Sequence, residues 1–251
     1  MGGLGNQLFQ YAYGKALSLE KNEEMSLDIS WYRGRISRTY MLKHFAITSE
    51  EVSPFKLFTV KLFSKEKYLS DPLGEWHKEK YFKKYSDVIR KEFTLKEPLS
   101  DTSTTLLKKI RATNSVSIHL RGGDYLLGNK SGFHSICSPE YYTDALEIIS
   151  KEISSPHFYI FTDDIPWAKE HIKLPVEHTF VSNGTNPPHE ELFLMSSCKH
   201  NITANSTFSW WAAWLGTTEK NGGKIVITPK KWFNDSALDT SELLPPNWIQ
   251  L

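Results

Sequence analysis

Beyond residue 115 the sequence alternates short apolar runs with longer segments of helical periodicity, and this alternation constrains the fold more than any other feature. It predicts strands at 115–120, 157–162, 178–182, 200–204 and 224–228, with helices at 139–152, 165–172, 189–198 and 206–216. Strands joined through helices pair in parallel, and the helices cover both faces of the sheet. We therefore expect a doubly wound α/β sheet with a ligand crevice at the carboxyl ends of its strands.

The first hundred residues carry a different pattern. The glycine-rich turn GGLGNQ leads into a helix opened by Asn6 and Gln7, and a short strand is predicted in the segment SLDIS. Residues 53–69 interleave apolar side chains with lysines, which is typical of a helix that covers a sheet or lies on an anionic membrane surface. Residues 79–93 predict another amphipathic helix. The polar segment 94–105 predicts a boundary between an N-terminal domain at 1–100 and a C-terminal domain at 101–251.

Composition excludes several classes of protein. The formal net charge of +1 argues against a dedicated nucleic-acid binder. No long apolar run and no leader pattern is present, so we expect a cytoplasmic protein. Cys137 and Cys198 lie in neither a disulfide framework nor a metal-ligand spacing, which favours two buried thiols. The motifs of zinc proteases, P-loop NTPases and serine hydrolases are absent.

Polar side chains follow two of the predicted strands. His119 and Arg121 end the strand at 115–120, where an arginine could hold phosphate oxygens and a histidine could contact a nucleoside or simply complete the core. Asp163 and Asp164 follow the strand at 157–162. A carboxylate there could accept the N–H groups of a guanine, and one of the two could instead cap the next helix.

A third strand end leads directly into a helix. Hydroxyl groups of Ser206 and Thr207 at a helix start favour a phosphate site, and capping by Asn205 is compatible with it. We expect three tryptophans of the same helix to pack in the core, namely Trp210, Trp211 and Trp214.

Four segments together resemble the bacterial α-1,2-fucosyltransferases of glycosyltransferase family 11. They are GGLGNQLFQYA at the start, HLRGGDY at 119–125, FTDD at 161–164, and LMSSCKHNITANSTFSWWAAWLG at 194–216 followed by KIVITPKKWF. The resemblance spans nearly the whole chain. It implies a GT-B-like architecture of two Rossmann-like domains with doubly wound parallel sheets. It also implies an inverting transfer of L-fucose from GDP-β-L-fucose to the 2-hydroxyl of a terminal β-galactoside, in the synthesis of a surface polysaccharide such as O-antigen, with no metal or other cofactor.

Carried onto this sequence, the resemblance assigns roles to the strand-end residues. Arg121 would bind the diphosphate and assist the departure of GDP. Asn6 would face the fucose and the acceptor, and Asp124 and Asn6 are the candidates for the general base. The remaining donor-binding residues would contact the guanosine or line the phosphate pocket: His119, one of Asp163 or Asp164, Ser206, Thr207 and Phe208.

The sequence departs from the family at two places. Gly122 stands where the family pattern HxRRxD has a second arginine, and the loss of one charged hydrogen bond weakens donor binding by about 1.5–3 kcal/mol. Family members also carry a strand before GGLGNQ, so we expect the N-terminal domain to lack its first strand. Three alternatives stay open: a degenerate module that binds nucleotide or glycan without turnover, a related transferase with another GDP-sugar or linkage, and peripheral contact with the inner face of the membrane.

Overall fold

The computed structural model describes residues 2–34, 39–52, 77–121, 137–171, 176–182, 186–216, 223–233 and 242–251. The chain divides into two compact units, Met1–Glu97 with Glu242–Leu244 and Pro98–Ser241 with Pro245–Leu251. The amphipathic stretch at 53–69 and the residues Gly122 and Asp124 lie outside the described residues. No described helix is long and apolar enough to cross a bilayer.

The first unit begins with helix α1 (Leu4–Lys21), whose residues Leu8, Phe9, Ala12 and Ala16 are buried on one face. The short strands β1 (Ser26–Leu27) and β2 (Glu50–Glu51) pair in parallel. The helix predicted at 79–93 is instead divided into two 3₁₀ turns, Glu79–Tyr81 and Lys83–Tyr85, followed by helix α2 (Ser86–Glu92). Further 3₁₀ turns lie at Ser30–Tyr32 and Leu42–His44.

The described part of the second unit contains a sheet of six parallel strands in the order β5-β4-β3-β6-β7-β8. Counted from the first strand of the unit, this is the Rossmann order 3-2-1-4-5-6. The α/β class and, for this unit, the doubly wound parallel sheet expected of a GT-B-like chain are therefore confirmed. The strands are β3 (Asn114–Leu120), β4 (Pro156–Thr162), β5 (His178–Phe180), β6 (His200–Ile202), β7 (Val226–Thr228) and β8 (Ile249–Gln250).

Among the described residues, five helices accompany this sheet: α3 (Asp101–Ala112), α4 (Pro139–Glu152), α5 (Ile165–His171), α6 (Pro188–Ser196) and α7 (Thr207–Gly216). Helix α4 has the predicted bounds because Ser138 caps it and Pro139 occupies its first turn, where a missing N–H costs nothing. The segment 94–105 was predicted as a polar connection, but α3 begins inside it. Ser100 caps α3 by accepting from the backbone N–H of Ser103 at 3.3 Å.

The sheet is buried on both faces. Val116, Ile118 and Leu120 of β3 are fully buried on one side, and Ser115 and Ser117 are fully buried on the other. A cluster of tryptophans packs in the core of this unit, as predicted. Ring centroids are 5.1 Å apart for Trp210 and Trp211, and 5.2 Å apart for Trp211 and Trp214. All three tryptophans are buried, so they anchor helix α7 in the core of this unit.

Candidate active site

The order in which strands are added to the sheet changes direction between β3 and β6. These neighbours in space are separated in the chain by β4 and β5, and successive strands are added outward from them on both sides. Hydrogen bonding between the two strands extends only to the pair Ile118 and Ile202. In open α/β sheets a crevice forms at such a point, outside the carboxyl ends of the strands, and ligands bind there. The site residues predicted after β3 and β6 follow these two strand ends.

Arg121 lies on the β3 side of this crevice. Its Nε is 3.5 Å from Oδ2 of Asp163, the first residue after β4, and the two side chains are 22% and 28% exposed. A guanidinium stays charged at every working pH and presents a planar fork to carboxylate or phosphate oxygens. The structure therefore brings two of the predicted residues together as a partly buried ion pair that an incoming anion could reach.

His119 precedes this arginine on β3 and is almost completely buried, at 4% exposure. Burial, with a smaller contribution from the charge of Arg121, lowers the pKa of His119 to about 3, so the imidazole is neutral. Its Nδ1 is buried and has no hydrogen-bond partner among the described residues. The ring centroid lies 5.8 Å from that of Phe208 on α7, so His119 faces the other side of the crevice.

The two adjacent aspartates after β4 have different surroundings. Oδ1 of Asp164 accepts from the backbone N–H of Trp167 at 2.9 Å, and the backbone N–H of Asp164 donates to the Thr162 hydroxyl at 3.1 Å. Asp164 thus caps α5, which is the structural role that was expected for one of the two. Asp163 is the aspartate that faces Arg121, and ligand contacts by either remain predictions.

The start of α7 forms the β6 side of the crevice. The Ser206 hydroxyl accepts from the backbone N–H of Phe208 at 3.3 Å, and Ser206 is 7% exposed, whereas Thr207 and Phe208 are partly exposed. The side-chain amide of Asn205 donates to the backbone carbonyl of Trp232 at 3.0 Å. The first turn of a helix carries a partial positive charge, which favours a negatively charged ligand.

Sequence reasoning missed Glu191, in the first turn of α6. This carboxyl is partly buried and hydrogen-bonds to Ser182, and burial raises its pKa to about 7. The Ser182 hydroxyl in turn accepts from the backbone N–H of Thr162 at 3.0 Å, so Glu191 lies at the carboxyl ends of β4 and β5. An acidic residue in the first turn of a helix is ordinary, and only its burial separates Glu191 from a helix-dipole role.

Two further residues were predicted to be catalytic, and they belong to other parts of the chain. Asp124 belongs to the segment outside the described residues, and Asn6 lies on α1 of the first unit. Their roles stay predictions. Within the described ranges, no group of three or more His, Cys, Asp or Glu side chains is arranged to hold a metal ion.

The arrangement is suited to an anionic ligand with a polar aromatic group. A fixed cation and a helix start face the same crevice and a neutral histidine borders it, while a carboxyl of raised pKa lies at the same edge of the sheet. Together these groups could neutralise phosphate oxygens and hydrogen-bond the edge of a base.

Comparisons with known proteins find similarity over the whole chain. A family model described as glycosyl transferase family 11 matches residues 1–251. An alpha-1,2-colitosyltransferase of Escherichia coli is 30% identical over all of this chain and 96% of its own length. The O-antigen biosynthesis glycosyltransferase WbnK of Escherichia coli is 31% identical over all of this chain and 98% of its own length.

More distant similarities extend to animals and to a solved structure. Galactoside alpha-(1,2)-fucosyltransferase 1 of Leontocebus fuscicollis is 26% identical over 62% of this chain and 44% of its own length. The crystal structure of NodZ alpha-1,6-fucosyltransferase soaked with GDP-fucose covers 88% of this chain and 94% of its own, at 13% identity and a TM-score of 0.48.

Proposed function

The chain belongs to glycosyl transferase family 11, and we propose that it transfers L-fucose from GDP-β-L-fucose to the 2-hydroxyl of a terminal β-galactoside. The names of two relatives carry the 1,2 linkage, one for colitose and one for fucose on a galactoside. The O-antigen relative supports a surface polysaccharide as the destination of the sugar. The general statement, that the chain is a glycosyltransferase, follows from family membership itself.

One observation carries the proposal: Arg121 follows β3 and the start of α7 follows β6, and the strand order changes direction between these two strands. A nucleoside diphosphate leaving group gains negative charge as the glycosidic bond breaks. A guanidinium and a helix N-terminus that are already in position stabilise that charge, because neither group has to move during the reaction. We therefore propose that Arg121, Ser206 and Thr207 hold the diphosphate and that the transfer needs no metal ion.

We assign the carboxylate that recognises the guanine to Glu191. A guanine presents a ring N–H and an exocyclic amine on one edge, and a single carboxylate accepts from both. Asp164 already caps α5, and Asp163 faces Arg121. Glu191 is a partly buried carboxyl at the same edge of the sheet, and its Ser182 hydroxyl partner orients it.

Transfer with inversion requires attack from the side opposite the leaving group. The acceptor 2-hydroxyl bonds to the anomeric carbon, the bond from that carbon to GDP breaks, and the hydroxyl proton passes to a base. Of the two candidates, Asp124 has a side chain that takes up a proton readily, so we propose it as the base. We propose that the Asn6 amide orients the acceptor or the fucose.

A second candidate donor is the GDP-linked form of colitose. The colitosyltransferase relative is similar over the whole length of this chain, which favours this alternative as a specific competitor. Colitose lacks the 3-hydroxyl of fucose, so a site that hydrogen-bonds this hydroxyl prefers fucose, and a site that excludes it prefers colitose.

The test compares the two donors. Turnover is measured by GDP release from GDP-fucose and from GDP-colitose, with EDTA present and with a panel of galactose-terminated acceptors. A higher kcat/KM for GDP-fucose supports the proposal, and a higher kcat/KM for GDP-colitose assigns the second donor. If GDP binds but neither donor is consumed, both transferase proposals are wrong and the chain is a degenerate binding module.

We also propose a cytoplasmic location with peripheral contact at the inner face of the membrane. The support is the sequence of residues 53–69, where lysines alternate with aromatic and aliphatic side chains. Flotation with anionic vesicles tests this, and recovery of the protein only in the unbound fraction overturns it.

A further inference from the structure

Two adjacent tyrosines in the first turn of α4 reach opposite sides of the crevice. Tyr141 and Tyr142 are 8% and 2% exposed, and their rings are 5.0 Å apart in an edge-to-face arrangement. A buried phenol that did not hydrogen-bond would be unfavourable, and each of these hydroxyls is bonded. Their partners are backbone groups at the carboxyl ends of the strands.

Tyr142 holds the β3 side. Its hydroxyl donates to the backbone carbonyl of His119 at 3.0 Å. The backbone of Arg121 and the Cys137 side chain also lie near this hydroxyl and influence its pKa. Tyr142 therefore fixes the stretch of main chain from which the Arg121 side chain departs.

Tyr141 holds the β6 side. Its hydroxyl donates to the carbonyl of Thr203 at 2.6 Å and approaches the carbonyl of Ile227, on β7, at 3.3 Å. Thr203 lies four residues before the start of α7. One helical turn thus holds both sides of the crevice.

Direct pairing between β3 and β6 does not perform this function. It ends at Ile118 and Ile202, before the chain reaches Arg121 or Ser206. Beyond that point β3 stays paired with β4 up to Leu120, and the hydrogen bonds of α4 link the β3 end to the β6 end.

We propose that Tyr142 is a positioning residue for phosphate binding, which acts by fixing the main chain at Arg121. This inference rests on the proposed function, because it takes the ligand to be a nucleoside diphosphate. Removal of the Tyr142 hydroxyl leaves the ring packed in place but releases the carbonyl of His119, two residues before Arg121. The guanidinium then samples more positions, and its contact with the phosphates weakens.

The experiment measures binding of GDP and of guanosine by calorimetry, for the whole chain and its Tyr142→Phe variant. Guanosine lacks the phosphates and so does not report on Arg121. We expect Tyr142→Phe to weaken GDP binding by about 5- to 10-fold, as the loss of one hydrogen bond implies, and to leave guanosine binding unchanged. Equal losses for both ligands would mean a general structural effect and would overturn the proposal.

A double-mutant cycle supplies the sharper test. Tyr142→Phe is expected to have no further effect on GDP affinity in an Arg121→Ala background, whereas additive losses would contradict the coupling. Tyr159→Phe is the matched control, since it removes another buried phenol hydroxyl, which bonds to Thr113 at 3.2 Å. It should lower stability without selective loss of GDP binding. If the wild-type chain binds guanosine and GDP equally or binds neither, the proposed function fails before Tyr142 is in question.

Discussion

Arg121 Nε lies 3.5 Å from the Asp163 carboxylate, across the gap between the ends of two neighbouring parallel strands. Both side chains keep access to solvent, so the pair itself contributes little to stability. The ion pair instead orients Arg121, because the carboxylate holds the guanidinium at the crevice before a ligand arrives. A diphosphate carries more negative charge than one carboxylate and competes well for the same guanidinium.

Replacement of Arg121 by alanine should lower kcat by about 100-fold or more, because one preorganised group that stabilises the leaving group is lost. The measurement is GDP release at saturating donor and acceptor. Asp163→Asn is the matched variant: it keeps the shape of the side chain and removes only the orienting charge. We expect it to change kcat by less than about 10-fold. Near-normal turnover in Arg121→Ala would remove that residue from the mechanism.

Because His119 is buried in its neutral form, we predict that the protein loses stability in acid. Its pKa is about 3 in the folded protein and 6.5 when unperturbed. Between these values the unfolded chain binds a proton that the folded chain does not, so the free energy of unfolding falls as the pH is lowered. The slope is at most about 1.4 kcal/mol per pH unit. Denaturant unfolding at pH 7, 6, 5 and 4 should show a flatter profile for His119→Gln than for wild type. His178→Gln, at an exposed histidine of β5, is the control, and parallel profiles for wild type and His119→Gln would show that His119 titrates normally.

For Glu191 we predict the opposite dependence of stability on pH, and the release of a proton when the ligand binds. Its pKa is raised from 4.5 to about 7, so the stability it contributes is present below pH 4.5 and is lost as the pH rises through 7. A guanine that donates two hydrogen bonds favours the ionised carboxylate. GDP affinity should therefore increase between pH 6 and 8, with release of a proton on binding.

Calorimetry at pH 6.5 in buffers of different ionisation enthalpy measures that proton directly. Glu191→Gln should weaken GDP binding and reduce the proton release, because ionisation of the terminal GDP phosphate, whose pKa is about 6, is common to both proteins. Equal proton release by the wild type and by Glu191→Gln would show that another group hydrogen-bonds to the guanine.

At Gly216, the last residue of α7, we predict that there is no room for a side chain. A Cβ at this position would collide with the backbone carbonyl oxygen of Ser196, at the end of α6, and with the Lys224 ammonium. Backbone cannot turn aside as a side chain does, so Gly216→Ala should destabilise the protein by about 1–3 kcal/mol. Gly14→Ala, inside α1, is the control: its Cβ would meet only the flexible end of Met25. That change should be neutral or stabilising in the same thermal or denaturant unfolding measurement, because alanine favours a helix. Equal midpoints for the two variants would contradict this packing argument.

Much of the second unit could be predicted from sequence because its elements are punctuated by local signals. Helix α4 was predicted at 139–152 and observed at Pro139–Glu152, and Ser138 and Pro139 are local signals that mark its start. Helix α3 was missed because its polar first turn lies in the segment interpreted as a connection between domains, although Leu106, Leu107 and Ile110 have helical spacing. The cap at Ser100 was the available signal. Strand β8 was missed because it consists of two exposed residues, and its pairing with β7 depends on tertiary contacts.

The candidate site could be predicted only in part. Arg121 and Asp163 follow strands directly, so topology alone brings them to the same edge. The division of roles between Asp163 and Asp164 depends on which carboxylate turns back to its helix, and sequence order does not determine that. Glu191 and Tyr142 were missed because each lies in a first helical turn, where acidic residues and aromatics have ordinary structural roles.

The most direct test of the central claim is the linkage of the product formed from GDP-fucose and a β-galactoside acceptor in the presence of EDTA, determined by NMR. We predict an α-1,2-linked fucose on galactose, formed at an undiminished rate with the chelator and lost with Arg121→Ala. A product with another linkage, or turnover that stops with EDTA and returns on addition of a divalent metal, would contradict the account.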